Sequence, residues 1–363
     1  MRKEQILYAL EHIEEDYIAD AASTINFEKS GNKRHKVQIL KWSAVAACLA
    51  LVCYMGSHFR AGSRLTPIET DPELPLLEVS LEDEGMGFEA HMFYDISESD
   101  NQNPWTEDAA LETLPVYQNL AYSNESGEPV YLSEEQRNHI KEKYEMTGLD
   151  EQAEISVSGN GTVKIEFLNP IKLSLESFFT DAERSKTVNY LNEKFSGIFD
   201  FEEYEISIWS EYTFQGESQR LYKIYEKDSD LVEEILNFNF KSISFVPNMQ
   251  EELSYIRIED LLSAAEKIGD YPIITWKDAQ KLLLDGNYFT TVPDEYLQNG
   301  KISKNQVKKI ELIYRTGNIN KVFMPYYRFY VELPEIEEIE LAKGLKMYGI
   351  YYVPAVYEGY LKF

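Results

Sequence analysis

The chain has 363 residues, of which 44% are hydrophobic and 13% aromatic, and its formal net charge is −28. This length accommodates two domains plus an anchor segment, and the apolar content is sufficient to bury a core. The charge is unevenly spread, because residues 1–64 carry a net +2 and the rest a net −30. The acidic part repels polyanions, so we expect no nucleic-acid partner.

An apolar run, WSAVAACLALVCYM, extends from Trp42 to Met55 without a charged residue. Trp42 and Tyr54 lie at its ends, where membrane helices carry interfacial aromatic residues. The run has 14 residues, or about 21 Å of helix. A bilayer core needs roughly 20 residues, so neighbouring residues must extend the helix. We therefore predict a membrane protein with one transmembrane helix over residues 42–59.

The orientation of this helix follows from the basic residues around it. Only Arg60 and Arg64 follow the run closely, whereas the segment before it is rich in lysine and arginine. This asymmetry places the N-terminus in the cytoplasm and the C-terminal part outside, as a single-pass protein of the cell membrane. The residues to which we assign the topology signal are Lys33, Arg34, Lys36 and Lys41.

Other interpretations of the apolar run stay open. A buried core helix also suits a short run. A cleaved signal peptide normally has a brief charged region, but residues 1–41 precede this run. The sequence VAAC, ending at Cys48, resembles a bacterial lipoprotein cleavage box, although Lys41 interrupts the apolar core that such a box requires. Cys48 and Cys53 are the two cysteines of the chain, so the C-terminal part has no disulfide.

Residues 3–22 carry apolar residues at spacings of three and four, which predicts an amphipathic helix. A helix of this length is marginal alone in water, so its apolar stripe needs a partner. We expect a cytosolic regulator to bind this stripe, with another copy or the membrane surface as alternatives. The proposed partner-binding residues are Ile6, Leu10, Ile13 and Tyr17. Residues 1–41 thus form a cytosolic helix and a basic juxtamembrane segment.

The C-terminal part is expected to be α+β, with helices packed on antiparallel sheets. Residues 60–115 are acidic and proline-rich and predict an extended linker. Residues 116–250 predict a first lobe with hairpins around Gly159–Gly161 and QGES, and with helices starting at Ser133, Thr180 and Asp228. Residues 251–363 predict a second lobe. Its elements are helices over 258–268 and 275–284 and strands over 310–314, 327–331 and 348–353.

Two segments carry family resemblances. The pattern EQILYALEHIEEDYIADAA, followed by a basic stretch and KWSAVAACLAL, resembles the start of single-pass membrane proteins of Clostridia-type Firmicutes, some of which look like anti-sigma factors. The order ITWKDAQKLL, KKIELIYR, PYYRFYVEL and YGIYYVPAV is similar to PepSY-type lobes of Firmicutes envelope proteins and to accessory proteins that restrain a cell-wall sensor kinase. These resemblances imply a regulatory outer domain without catalytic residues.

The chain shows no HExxH, CxxC, GxSxG or phosphate-loop motif, so we expect no enzyme, no cofactor and no metal site. Asp228 and Asp230 suggest a helix cap rather than a calcium loop. The aromatic run near Tyr326 and Tyr351 predicts core packing, with a binding surface as the alternative. The predicted function is a membrane regulator whose outer lobes bind an envelope protein or peptide. The alternative is a membrane-anchored envelope binding module without inward signalling.

Overall fold

The computed structural model describes residues 73–79, 88–99, 102–122, 131–145, 152–172, 203–297, 300–317, 319–336 and 339–362, together with Tyr190, Phe195, Ile198 and Phe201. This part of the chain is α+β, with mostly antiparallel strands and few helices, which confirms the predicted class at that level. The predicted cytosolic segment 1–41 and transmembrane helix 42–59 lie outside the described residues.

The strands and helices of the described residues are numbered in chain order. The strands are β1 (Leu77–Glu78), β2 (Ala90–Phe93), β3 (Thr113–Asn119), β4 (Ala153–Val157), β5 (Val163–Lys172), β6 (Tyr204–Tyr212), β7 (Ser218–Glu226), β8 (Lys241–Pro247), β9 (Glu252–Asp260), β10 (Ala265–Pro272), β11 (Val307–Tyr314), β12 (Val322–Phe323), β13 (Pro325–Glu332), β14 (Lys346–Pro354) and β15 (Leu361–Lys362). The α-helices are α1 (Glu134–Glu145), α2 (Leu231–Phe240) and α3 (Trp276–Leu284).

The larger sheet has six strands in the order β4-β5-β9-β8-β7-β6, and all its pairs are antiparallel. One face carries alternate apolar residues, which bury against α1 and the aromatic ring of Phe195. The predicted hairpins form β4-β5 and β6-β7, and are confirmed. In the first turn Gly161 has a φ of +93°, which favours glycine, and Asn160 accepts a hydrogen bond from the Thr162 amide at 3.0 Å.

A second sheet has four strands in the order β11-β13-β14-β2, and a three-stranded sheet has the order β10-β3-β12. Helix α3 packs on the apolar face of the four-stranded sheet, where Leu282 and Leu283 are buried. As predicted, Thr275 caps this helix by accepting a hydrogen bond from the Asp278 amide. Near the chain end, β1 and β15 form a short parallel pair.

The residues predicted as an extended linker, 60–115, include folded elements. Strands β1 and β2 lie in this range, and Phe93 and Trp105 are 0% and 6% exposed. An extended linker therefore does not describe these residues. The reason is that isolated apolar residues between acidic and proline residues show no periodicity, yet each fills a position in a sheet formed by distant strands.

The helix predicted over residues 258–268 is wrong. This segment ends β9, passes through a short 3-10 turn and begins β10. Pairing of β10 with β3 overrides the helix-forming residues of SAAEK. Because β8 and β9 are neighbours in one sheet, strand pairing runs across the boundary predicted at residue 250. The helix predicted to start at Thr180 lies largely outside the described residues.

Candidate functional site

A buried ionic cluster lies on one face of the four-stranded sheet. Glu311 on β11 is opposite Arg328 on β13, and Lys309 is opposite Tyr330. Arg328 donates from Nε to Glu311 Oε2 at 2.9 Å, and the Tyr330 hydroxyl donates to the same oxygen at 2.9 Å. Lys309 Nζ lies 2.8 Å from Glu311 Oε1. We call these four residues the Glu311 network.

The charges of this network hold one another in the ionised form. Burial by itself would raise the pKa of Glu311, whose side chain is 2% exposed, but Arg328 and Lys309 outweigh burial and lower its pKa to about 2. Burial would likewise lower the pKa of Arg328, and Glu311 keeps it well above its usual value. A carboxylate held this way does not accept a proton near neutral pH, so the network is suited to fixing the sheet rather than to acid–base chemistry.

Strand β6 of the six-stranded sheet covers the Glu311 network. The Trp209 ring lies with its centroid 5.9 Å from the guanidinium carbon of Arg328 and 5.0 Å from the His91 ring. His91 Nδ1 is 2.6 Å from Glu211 Oε2, which joins β2 to β6. The tip of the β6-β7 hairpin also contacts the connection between β13 and β14, because the Ala342 amide donates to the Phe214 carbonyl at 2.8 Å. The two sheets are thus joined by a polar and aromatic seam.

The aromatic run predicted as core is buried. Its members are between 0% and 9% exposed, and the predicted alternative, a tyrosine binding surface, is wrong for them. They are Tyr326, Tyr327, Phe329, Tyr330, Tyr348, Tyr351 and Tyr352. The prediction for Asp230 is confirmed, because its side chain caps α2 by accepting a hydrogen bond from the Val232 amide at 2.8 Å.

Strand β4 lies at an edge of the six-stranded sheet. Two hydrogen bonds show which of its residues bond to β5 and which point away from the sheet. The Ser158 amide donates to the Thr162 carbonyl, and the Leu168 amide donates to the Gln152 carbonyl. In an antiparallel pair, bonded residues alternate with unbonded ones, so the even-numbered residues of β4 bond to β5. The backbone N–H and C=O groups of Ala153, Ile155 and Val157 therefore point away from the sheet.

Among the described residues, no backbone or side-chain group hydrogen-bonds to these three outward-facing residues. The edge of the four-stranded sheet differs in this respect. On β11, Asn103 donates to the Leu312 carbonyl at 3.1 Å and Asn239 accepts from the Tyr314 amide at 2.9 Å. Side chains thus satisfy part of the β11 edge, whereas the outward backbone groups of β4 have no partner among the described residues.

Helix α1 lies beside strand β4. Its capping box joins Ser133 and Gln136, as predicted, and Tyr144 packs with Ile155 in the core under the sheet. A shallow cavity of about 200 Å³ lies between the helix and Val157, the last residue of β4. Its other lining residues occupy one face of α1 and are Glu134, Arg137, Asn138 and Lys141. We call the outward edge of β4 and these helical residues the β4 groove.

The site residues predicted from the sequence are not part of this groove. The partner-binding set Ile6, Leu10, Ile13 and Tyr17 and the topology set Lys33, Arg34, Lys36 and Lys41 all lie outside the described residues, so both sets stay predictions. Sequence reasoning missed Arg137 and the edge of β4. A signal for the edge was present, because β4 is the short outer member of a hairpin.

Comparison with known proteins leaves the family of the chain open at present. The fold defined by the described residues is a mixed α+β protein with antiparallel sheets. No protein-family model matches the chain, and no curated protein is significantly similar to it. In the described part of the chain, no helix is both long and apolar enough to cross a membrane, and no three His, Cys, Asp or Glu side chains are grouped as metal ligands would be.

Proposed function

We propose that this chain is a non-enzymatic regulatory protein, anchored by one membrane span, whose outer part binds an extended peptide segment of another protein by adding it to β4. The observation that supports the proposal is that, among the described residues, the outward backbone groups of Ala153, Ile155 and Val157 have no hydrogen-bond partner. An extended peptide that pairs with a sheet edge gains affinity from main-chain hydrogen bonds and specificity from pockets for alternate side chains. The β4 groove offers outward backbone groups for the first and a cavity beside Val157 for the second.

The proposal also uses the organisation of the sequence. The apolar run 42–55 and the basic residues before it support an orientation with the acidic part outside the cell and residues 1–41 inside. Residues 3–22 then provide an amphipathic helix for a cytosolic regulator, as in an anti-sigma-factor-like protein. The alternative is an envelope binding module in which the inner helix is only an extension of the anchor.

Peptide binding at β4 can be tested by removing one outward N–H group. The probe is an octapeptide selected from a random displayed library on the full-length protein. In Ala153→Pro the ring removes a donor that β5 does not use, so the β4-β5 pairing keeps its hydrogen bonds while the added strand loses one. We expect peptide affinity to fall about tenfold or more by titration calorimetry, since one bond and the close approach of the strand are both lost.

The matched control is Ala153→Ser, which keeps the N–H group and a small side chain, and its affinity should equal that of the wild type. Equal affinity in the proline variant, or the absence of any recovered peptide, would contradict strand addition at β4. Thermal melts of both variants establish that the sheet remains folded.

Inward signalling is tested by deleting residues 3–22 from the full-length protein. If the chain is a regulator, crosslinking in cells should capture a cytosolic regulator such as a sigma factor with the intact protein and lose it with the deletion. If both proteins capture the same envelope protein and nothing cytosolic, the binding-module alternative holds instead.

A further inference from the structure

Strand β1 ties the start of the described chain to strand β15. The two strands are parallel, with Leu77 opposite Leu361 and Glu78 opposite Lys362, and the Val79 amide donates to the Lys362 carbonyl at 3.0 Å. Among the described residues this pair is a sheet of its own, with two residues in each strand. So short a pair has little stability by itself, and β1 therefore depends on its side chains for attachment.

Two apolar side chains fasten β1 to the fold. Leu77 and Val79 are 2% and 6% exposed and belong to the main apolar core, and the Tyr271 hydroxyl donates to the Pro75 carbonyl at 2.8 Å. The other residues of the segment 73–79 lie at the surface. Those that are exposed are Glu73, Pro75, Leu76 and Glu78. Segment 73–79 is thus a strap on the surface of the fold, and we call it the β1 strap.

The ion pair of the β1 strap contributes little to this attachment. Glu78 Oε2 lies 3.3 Å from Lys321 Nζ, but the two side chains are 65% and 41% exposed. Solvent screens a pair of this kind, and exposed pairs typically stabilise a fold weakly. The buried side chains of Leu77 and Val79 therefore decide whether the strap stays in place.

The chain is attached to the fold a second time at β2. This strand pairs with β14 over four residues, and Met92 and Phe93 are buried in the core of the four-stranded sheet. Just before β2, the Phe88 ring lies with its centroid 5.2 Å from that of the Tyr296 ring. Segments with few buried contacts open at a lower free energy than strands within a core sheet. The β1 strap can therefore separate from β15 while β2 stays in place.

We infer that pairing of the β1 strap with β15 controls how far the outer part reaches from the membrane, an inference that rests on the membrane span of the proposed function. Residues 60–72 connect the predicted span to the strap, and a chain of this length spans at most about 44 Å. When the strap is released, the connection comprises residues 60–87 and spans at most about 95 Å. The strap thus sets the depth in the envelope at which the outer part meets its partner.

The strap is tested by introducing a charge at its buried leucine. Leu77→Asp is expected to release β1, because an unpaired carboxylate in the apolar core is costly. In hydrogen exchange measured by NMR on the full-length protein, the Val79 amide should then exchange about tenfold or more faster, while the amides of β13 and β14 keep their wild-type rates. The matched control is Leu76→Asp, which makes the same change at the adjacent residue. Leu76 is 62% exposed, so this variant should behave as the wild type.

The reach is measured on the same full-length proteins in lipid nanodiscs. A fluorescent amino acid replaces Glu358, which is exposed and lies just before β15, and the lipid headgroups carry acceptor dyes. In Leu77→Asp, energy transfer to the headgroups should fall about twofold or more, because the longer connection lets the label stand farther from the bilayer. Deletion of residues 361–363 removes β15 and leaves Leu77 unchanged, and it should lower the transfer in the same way. Leu76→Asp should show the wild-type transfer.

The outcomes separate this inference from the proposed function. If Leu77→Asp frees the Val79 amide but leaves the energy transfer unchanged, the inference is overturned. It is also overturned if Leu77→Asp unfolds β13 and β14 together with β1, or if deletion of residues 361–363 changes neither the exchange nor the transfer. If the wild type does not bind nanodiscs, or if a chain without residues 42–59 still binds them, the membrane span of the proposed function fails, and the inference fails with it.

Discussion

Replacing Glu311 by glutamine is expected to lower the free energy of unfolding by about 3–5 kcal/mol, because it leaves two cations without their buried counter-charge. Glutamine has nearly the same shape, so packing is kept while the charge is lost. Arg328 and Lys309 then remain beside a neutral amide under the Trp209 ring. Urea unfolding followed by fluorescence measures this loss.

The control for this prediction is Glu332→Gln on the neighbouring strand β13. Glu332 makes ion pairs of 3.1 and 2.9 Å with Lys308 and Lys346, but its side chain is 26% exposed, compared with 2% for Glu311. Solvent screens such a pair, so the control should cost less than about 1 kcal/mol. Equal losses in the two variants would show that the Glu311 network does not stabilise the fold through its burial.

The second large effect is on the pH dependence of stability. The pKa of Glu311 is about 2 in the folded protein, below its ordinary value of 4.5. A lowered pKa contributes stability that is fully present above the unfolded value and is lost as the pH falls toward the folded value. From pH 4.5 to about pH 2 the wild type should lose on the order of 3 kcal/mol through this group.

This loss is isolated by comparing the wild type with Glu311→Gln at each pH. The other carboxylates are common to both proteins and cancel in the difference between their free energies of unfolding. The difference should be largest above pH 4.5 and should shrink as the pH falls toward 2, since only the wild type has a carboxylate to protonate at residue 311. A difference that stays constant over this range would contradict the assigned pKa.

Helices and hairpins were predictable from the sequence where residues close together in the chain specify them. The capping residues of α1 and α3 and the alternation on both sides of Gly159–Gly161 identify two helices and a hairpin. The assembly of the sheets was not predictable in the same way. Strand β2 pairs with β14, more than 250 residues away along the chain, and nothing near His91 indicates that partner.

The Glu311 network and the β4 groove were harder to predict from the sequence. Glu311 interrupts the apolar strand KIELIY, which marks it as unusual, but its pairing with Arg328 depends on the register of β11 and β13. The β4 groove depends on which edge of a sheet remains unpaired, a property of the whole sheet. Arg137 belongs to a helix that reads as an ordinary charged surface helix, so only the cavity beside Val157 distinguishes it.

The most direct test of strand addition is amide hydrogen exchange at single residues of β4, measured by NMR on the full-length protein with and without a selected octapeptide. In the free protein the amides of Ala153, Ile155 and Val157 should exchange faster than those of Glu154 and Ser156, which bond to β5. A saturating peptide should slow the three outward amides at least tenfold and leave the two inward amides unchanged. Outward amides that still exchange rapidly when the protein is saturated with peptide would contradict the account.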